Sequence, residues 1–190
     1  MLIGIVGPPL SGKTTIAAKF FSSLKETGVE SNYLEDYCKK QIRLKNDFNQ
    51  NKLLFSQIQE EIEVKNNINN KHIYISDNSY FNRIPYIVLE GMDKYPETKI
   101  FDLIFKQIQN HYDLIVYCHP LHSIVVYPES TYKPFNLNSI TPLHSVFTKT
   151  LERIKQLKFP LVELNGDTPP DIRLANLSLS AMTNYAIMAK

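Results

Sequence analysis

The segment Gly7-Pro8-Pro9-Leu10-Ser11-Gly12-Lys13-Thr14 matches the pattern G-x-x-x-x-G-K-[ST], and it follows directly on an apolar run of strand length, Leu2–Val6. Ile16, Phe20 and Leu24 then recur at helical spacing until Gly28. Strand, glycine-bearing turn and helix in this order are the setting in which the pattern works as a phosphate loop. Successive backbone N–H groups wrap a polyphosphate, a side chain at Gly12 would obstruct them, and the helix N-terminus adds its positive end. Lys13 brings a mobile charge to the β and γ phosphates, Thr14 sets a hydroxyl on Mg²⁺, and Thr15 reaches the α-phosphate. Gly7, Leu10, Ser11, Gly12, Lys13, Thr14 and Thr15 are therefore the candidates for holding ATP with Mg²⁺. Pro8 and Pro9 stiffen the start of the loop but lack N–H groups, which leaves Leu10 onward to form the cradle.

Further strands are expected at Ser31–Leu34, 72–76, Leu114–Cys118 and Leu161–Leu164, where apolar, β-branched or aromatic residues crowd into short runs. Between them the pattern predicts a polar helix carrying Lys39, Lys40, Arg43 and Lys45. A second helix has Leu54, Ile58 and Ile62 on one face. Further helices follow at 80–89 and 100–108, one marked by Leu143, Phe147, Leu151 and Ile154, and a last one at 172–188. Regularity fails over 119–142, which holds four prolines and reads as a lid-like loop. Strands alternating with helices predict an α/β fold with a mostly parallel five-stranded sheet and helices on both faces.

The 190 residues, 43 % hydrophobic, suit one domain spanning 1–190. A net charge of +2 with both signs interspersed argues against a protein that coats nucleic acid. Cys38 and Cys118 form no CxxC pair, so a disulfide framework or zinc ribbon is not expected and a reducing, cytoplasmic setting is the default. Cys118, His119, His122 and His144 match no common zinc spacing. No apolar run reaches membrane-span length and the apolar start is too short for a signal peptide, so no membrane partner is expected. The oligomeric state is left open, a homodimer included.

In an open parallel sheet, ligands gather beyond the carboxyl ends of the strands. Asp77 follows the third strand there, placed to hold Mg²⁺ or hydrogen-bond an acceptor. Glu35 and Asp36 follow the second strand, and either can take the proton of an acceptor hydroxyl, with Glu35 preferred. The bland alternative for each is an exposed strand-end acid or a helix cap.

Two segments, Gly7 to Thr15 (GPPLSGKTT) and Ile75 to Tyr86 (ISDNSYFNRIPY), resemble the P-loop nucleoside and nucleotide kinases. The group most resembled contains nicotinamide-riboside kinase-like ATPases, thymidylate kinases and deoxynucleoside kinases. The second segment looks like the strand-end stretch that reads Asp-Arg-Ser or Asp-Arg-Tyr in those families. The resemblance implies the P-loop NTPase fold, Asp77 beside acceptor and metal, and Glu35 as the base. Asn78 stands where those families usually carry arginine, and Arg83, about one helical turn on, is the candidate replacement. Related kinases close an arginine-bearing lid over the phosphates, whereas 119–142 has no arginine and only Lys133. Lys149 and Arg153 are the other cations on offer. Asn165-Gly166-Asp167 resembles the turn that abuts adenine.

The resulting expectation is ATP- and Mg²⁺-dependent phosphoryl transfer to a nucleoside or nucleoside monophosphate, with Asp36, Lys39, Asn78, Arg83 and Lys133 on the acceptor side. The basic stretch after the second strand keeps a second reading open, a kinase acting on a hydroxyl in DNA or RNA. Asn78 and the arginine-free lid motivate a third, a nucleotide-binding regulator with weak or no transfer. A GTPase is disfavoured by the lack of an Asn-Lys-x-Asp signature, and a transporter ATPase by the lack of Leu-Ser-Gly-Gly.

Overall fold

The structure is a computed structural model and describes residues 1–43, 50–67, 72–91, 102, 105, 111–120 and 137–188. Strands β1 (Leu2–Val6), β2 (Ser31–Leu34), β3 (Ile73–Ser76), β4 (Leu114–Cys118) and β5 (Leu161–Leu164) form one sheet in the order β2-β3-β1-β4-β5. Every pairing is parallel, with Ile3 opposite Ile75 and Leu114, and Val6 opposite Tyr117. The described helices are α1 (Lys13–Glu26), α2 (Tyr37–Arg43), α3 (Gln50–Asn67), α4 (Arg83–Gly91), α5 (Leu137–Gln156) and α6 (Pro170–Met188), with a 3₁₀ turn at Tyr80–Asn82.

Strand alternation divides the core in two. Leu2, Val6, Ile115 and Tyr117 face a layer containing Phe81, Ile84, Phe147 and Ile154, while Ile3, Ile5, Ile75 and Val116 face Ile16, Phe20, Leu177 and Ala181. Helices therefore cover both faces, which is why β1 is buried and apolar along its whole length. Fully buried Phe20 and Phe147 each contribute about 1.5–3 kcal/mol by leaving water. The chain leaves β1 toward β2 on one side of the sheet and leaves β3 toward β4 on the other, and ligands collect at such a reversal, beyond the carboxyl ends of β1 and β3.

Four expectations need amendment. Ile62 does not share a buried face with Ile58, since it is 37 % exposed while Gln57 and Glu61 are buried; polar residues line this part of α3 because they find hydrogen-bond partners inside. The helix expected at 80–89 begins as a 3₁₀ turn and becomes α-helical only at Arg83. The irregular stretch reaches no further than 136, because α5 starts at Leu137 and takes Pro142 into its second turn. The third strand starts at Ile73 and leaves out His72. The helix expected at 100–108 lies outside the described residues apart from Asp102 and Phe105, as does the lid-like segment over 121–136 with Lys133. Among the described residues no helix is long and apolar enough to cross a membrane.

Candidate active site

The loop from Gly7 to Gly12 joins β1 to α1 at the carboxyl edge of the sheet. Gly7 has φ +150, and a Cβ there would lie 2.3 Å from the carbonyl oxygen of Cys118 on β4, so only glycine lets the chain leave β1 this close to its neighbour. Gly12 caps α1 in the left-handed conformation, φ 77, with no side-chain cap and no acid in the first turn. The N–H groups of that first turn thus have neither an intrahelical partner nor a competing carboxylate, which suits them to an anion. The space a Gly12 side chain would take holds the guanidinium of Arg173, 3.2 Å away, so glycine is required here by φ and by Arg173. Leu10 adopts φ 61 and is 53 % exposed, the loop's outermost side chain.

Lys13 folds back over the loop and its Nζ donates to the carbonyl oxygen of Pro8 at 2.7 Å. Burial pulls its pKa down to about 8, against the opposing pull of Asp77 and Asp36. Arg173, near the start of α6, is buried and donates to the carbonyl oxygen of Ser11 at 2.9 Å, bracing the loop from beneath. Gly7 N–H donates at 2.9 Å to Oδ1 of Asn82, which ties the front of the loop to the 3₁₀ turn after β3.

Asp77, just past β3, is buried. One oxygen, Oδ2, accepts from the Tyr33 hydroxyl at 2.8 Å and lies 3.8 Å from Lys39 Nζ, while Oδ1 has no hydrogen-bond partner among the described residues. Burial pushes its pKa up, with Lys39 and then Tyr33 the leading opposing influences. Lys39 Nζ also donates to Thr14 Oγ1 at 2.6 Å. An ammonium is thus held between a hydroxyl and a carboxylate, a donor set that a hard cation favours. Thr14 and Asp77 fit Mg²⁺ on this ground, and the partnerless Oδ1 supplies a further acceptor.

The residues expected on the acceptor side are joined by a largely buried chain of polar contacts. Arg83 Nη2 meets Asp36 Oδ1 at 2.7 Å, Asn78 Nδ2 donates to Asp36 Oδ2 at 2.9 Å, and Asn82 Nδ2 donates to Asn78 Oδ1. Gln57 joins from α3, accepting from Arg83 Nε at 3.2 Å and donating to the Asn78 carbonyl at 2.9 Å. That carbonyl is presented by an Asn78 in the left-handed conformation, φ 63, which asparagine tolerates better than most residues. Behind this chain Glu61 accepts from Gln57, Ser76 and Tyr112, and burial raises its pKa to about 7 against those bonds.

Of the two candidate bases, Asp36 is buried in its pair with Arg83, and Glu35 is exposed beside it. Asn165 Oδ1 accepts from the Asp167 N–H at 3.0 Å, forming a tight turn between β5 and α6 at the same edge. Lys40 pairs with Glu60 at 3.4 Å and Arg153 with Asp102 at 2.7 Å. The site residues beyond the reach of sequence reasoning are Arg173, Asn82, Gln57, Glu61 and Tyr33; Asn82 lies within Ile75 to Tyr86 without a signal of its own, and the other four lie outside both motif segments.

Comparison with known proteins agrees with this fold. A family model described as an AAA domain matches residues 2–169. No curated protein matches the sequence. Among solved structures, the thymidylate kinase of Candida albicans superposes with a TM-score of 0.65 at 16 % identity, covering 97 % of this chain and 92 % of the other. The deoxyadenosine kinase of M. mycoides with dCMP and dCDP bound gives 0.64 at 14 % identity, covering 96 % and 100 %. The same kinase with dCTP gives 0.57 at 14 % identity over the same shares. The motif, the all-parallel sheet and the match over residues 2–169 together place this chain in the AAA-domain family, with the P-loop fold of the nucleoside and nucleotide kinases.

Proposed function

We propose that the protein transfers the γ-phosphoryl group of ATP to a hydroxyl or phosphate of a small nucleoside-like acceptor. The carrying observation is that the uncapped start of α1 and the buried Asp77 share one edge of the sheet, bridged by Lys39. The triphosphate lies along the N–H groups from Leu10 to Thr15, and Lys13 exchanges its bond to Pro8 for the β and γ phosphates. Bound to Thr14 and Asp77, Mg²⁺ would neutralise charge on the phosphates.

With a hydroxyl acceptor, Glu35 takes its proton as the acceptor oxygen forms its bond to phosphorus and the bond to the bridging oxygen breaks, releasing ADP; an ionised phosphate acceptor attacks in the same way with no proton to remove. Asp36 is less suited, because protonating it would leave Arg83 buried without its counter-charge. Asp36, Asn78 and Arg83 instead form the floor of the acceptor side, with Lys133 a candidate from the lid. A small acceptor is favoured over a polymer because Lys39 turns inward and Lys40 pairs with Glu60, which removes two charges from the basic stretch that motivated the nucleic-acid reading.

The test is ADP release across nucleosides, nucleoside monophosphates and nicotinamide riboside, beside labelled-phosphate transfer to DNA and RNA. Release dependent on one small acceptor, lost in Lys13→Ala, supports the proposal. Label appearing only in polymer favours the nucleic-acid reading, and tight ATP binding with neither outcome favours the regulator. Light scattering on the same samples reads whether the chain works as a homodimer, and fractionation of cells reads whether it is cytoplasmic.

A further inference from the structure

The cations described around the site are mostly committed. Lys13 is taken by the β and γ phosphates in the reading above, Arg173 is bonded to the Ser11 carbonyl, and Arg83 to Asp36. Lys39 differs in that its ammonium meets Thr14 at 2.6 Å and Asp77 at 3.8 Å, the two residues whose chemistry suits the metal. Its side chain is 32 % exposed and rises from the start of the short helix α2, so it can turn without unpacking the core. Asp77 in contrast is buried, and a buried carboxylate stays ionised only beside a cation.

We propose that Lys39 is a tethered cation that competes with Mg²⁺ for Thr14 and Asp77 and, once displaced, turns to the transferred phosphoryl group. The proposal rests on the kinase reading above. It answers the lack of arginine in 119–142, since positive charge on the phosphoryl group is a main part of catalysis in this chemistry. Thr14 and Asp77 are adjacent to where the γ-phosphate must lie, so a lysine leaving them need swing only a short way. The exchange conserves charge next to Asp77, which is never left buried and alone.

The test titrates MgCl₂ against the affinity of a non-hydrolysable ATP analogue by calorimetry, for the wild-type chain, K39M and K39R. Removing the competitor in K39M should lower the half-saturating Mg²⁺ concentration by roughly threefold or more. Transfer to the acceptor should fall by about 10²-fold. K39R, which keeps the charge, should stay near the wild-type Mg²⁺ requirement and recover much of the rate. A K39M chain with the wild-type Mg²⁺ requirement, or with the wild-type rate, would overturn the proposal.

Should K39M not fold, the ¹⁵N signal of Lys39 Nζ in the wild-type chain decides, because adding Mg²⁺ with the analogue must shift it and an unmoved signal refutes the exchange. Failure of the kinase reading is separable, since a wild-type chain without any Mg²⁺-dependent nucleotide affinity removes the site before the variants are compared.

Discussion

Arg173 and Ser11 stand 162 positions apart in sequence, yet the guanidinium of the one donates to the backbone carbonyl of the other at 2.9 Å inside the protein. The contact fastens the phosphate loop to the last helix, so the loop's conformation depends on a residue far from its motif. A cradle of N–H groups binds an anion well only when they point inward before the ligand arrives, because ordering them at the moment of binding costs conformational entropy.

Arg173→Met therefore removes a buried bond from the Ser11 carbonyl and frees the space behind Gly12. Stability is expected to fall by about 1–3 kcal/mol, read by denaturant unfolding. Nucleotide affinity should fall as well, with the loop no longer held. Wild-type affinity in a folded Arg173→Met chain would show that the loop holds its shape unaided.

Lys13→Ala deletes the loop's mobile charge and leaves its backbone in place. ATP affinity, measured by calorimetry, is expected to drop by about tenfold or more with little change in thermal stability, since among the described residues Lys13 has one hydrogen bond, to the Pro8 carbonyl.

Asp36→Asn leaves the buried guanidinium of Arg83 without its counter-charge, and the expected loss is about 3–5 kcal/mol. The double variant Asp36→Asn with Arg83→Met should recover part of that loss, because the pair leaves together. A double-mutant cycle by urea unfolding gives the coupling, and additive losses would mean the pair is energetically independent.

Glu61 offers a pH test. Its folded pKa of about 7 lies above the ordinary 4.5, so between these values the folded chain binds the proton that the unfolded chain has released. Stability from this group therefore decreases as pH rises through that window, with a slope of at most about 1.4 kcal/mol per pH unit. His111, which hydrogen-bonds near Glu61, is held neutral with a pKa of about 4 and contributes the opposite slope below 6.5. Tyr80 and Tyr112 have their pKa values raised by burial and stay protonated throughout. Glu61→Gln isolates the effect, since the stability of the variant relative to wild type should climb from pH 5 to pH 8. A difference that does not change with pH would place the Glu61 pKa near its unfolded value.

Much of the architecture is legible in one dimension because it rests on short-range signals. Leu2–Val6, Ser31–Leu34, Leu114–Cys118 and Leu161–Leu164 lie in the structure where their apolar runs predict them. The G-x-x-x-x-G-K-[ST] pattern locates the loop because φ at Gly12 and the adjoining helix start are local properties. Such features need only the chain's own geometry and its alternation of apolar and polar residues.

Tertiary structure alone decides what the polar residues do. The amphipathic reading of α3 set Ile62 on one face with Leu54 and Ile58, whereas the fold leaves Ile62 exposed and buries Gln57 and Glu61, which find Asn78, Ser76 and Tyr112 as partners. It likewise set Asp36 inside and Glu35 outside, though they are neighbours in sequence. Lys39 turns to Thr14 and Asp77, and Arg173 reaches Ser11, through contacts between elements that only the sheet order brings together. Hydrophobic pattern carries the sheet and helices because burial depends on each residue's own apolar surface. A buried polar group depends instead on a partner elsewhere in the chain, and that partner is known only once the fold has formed.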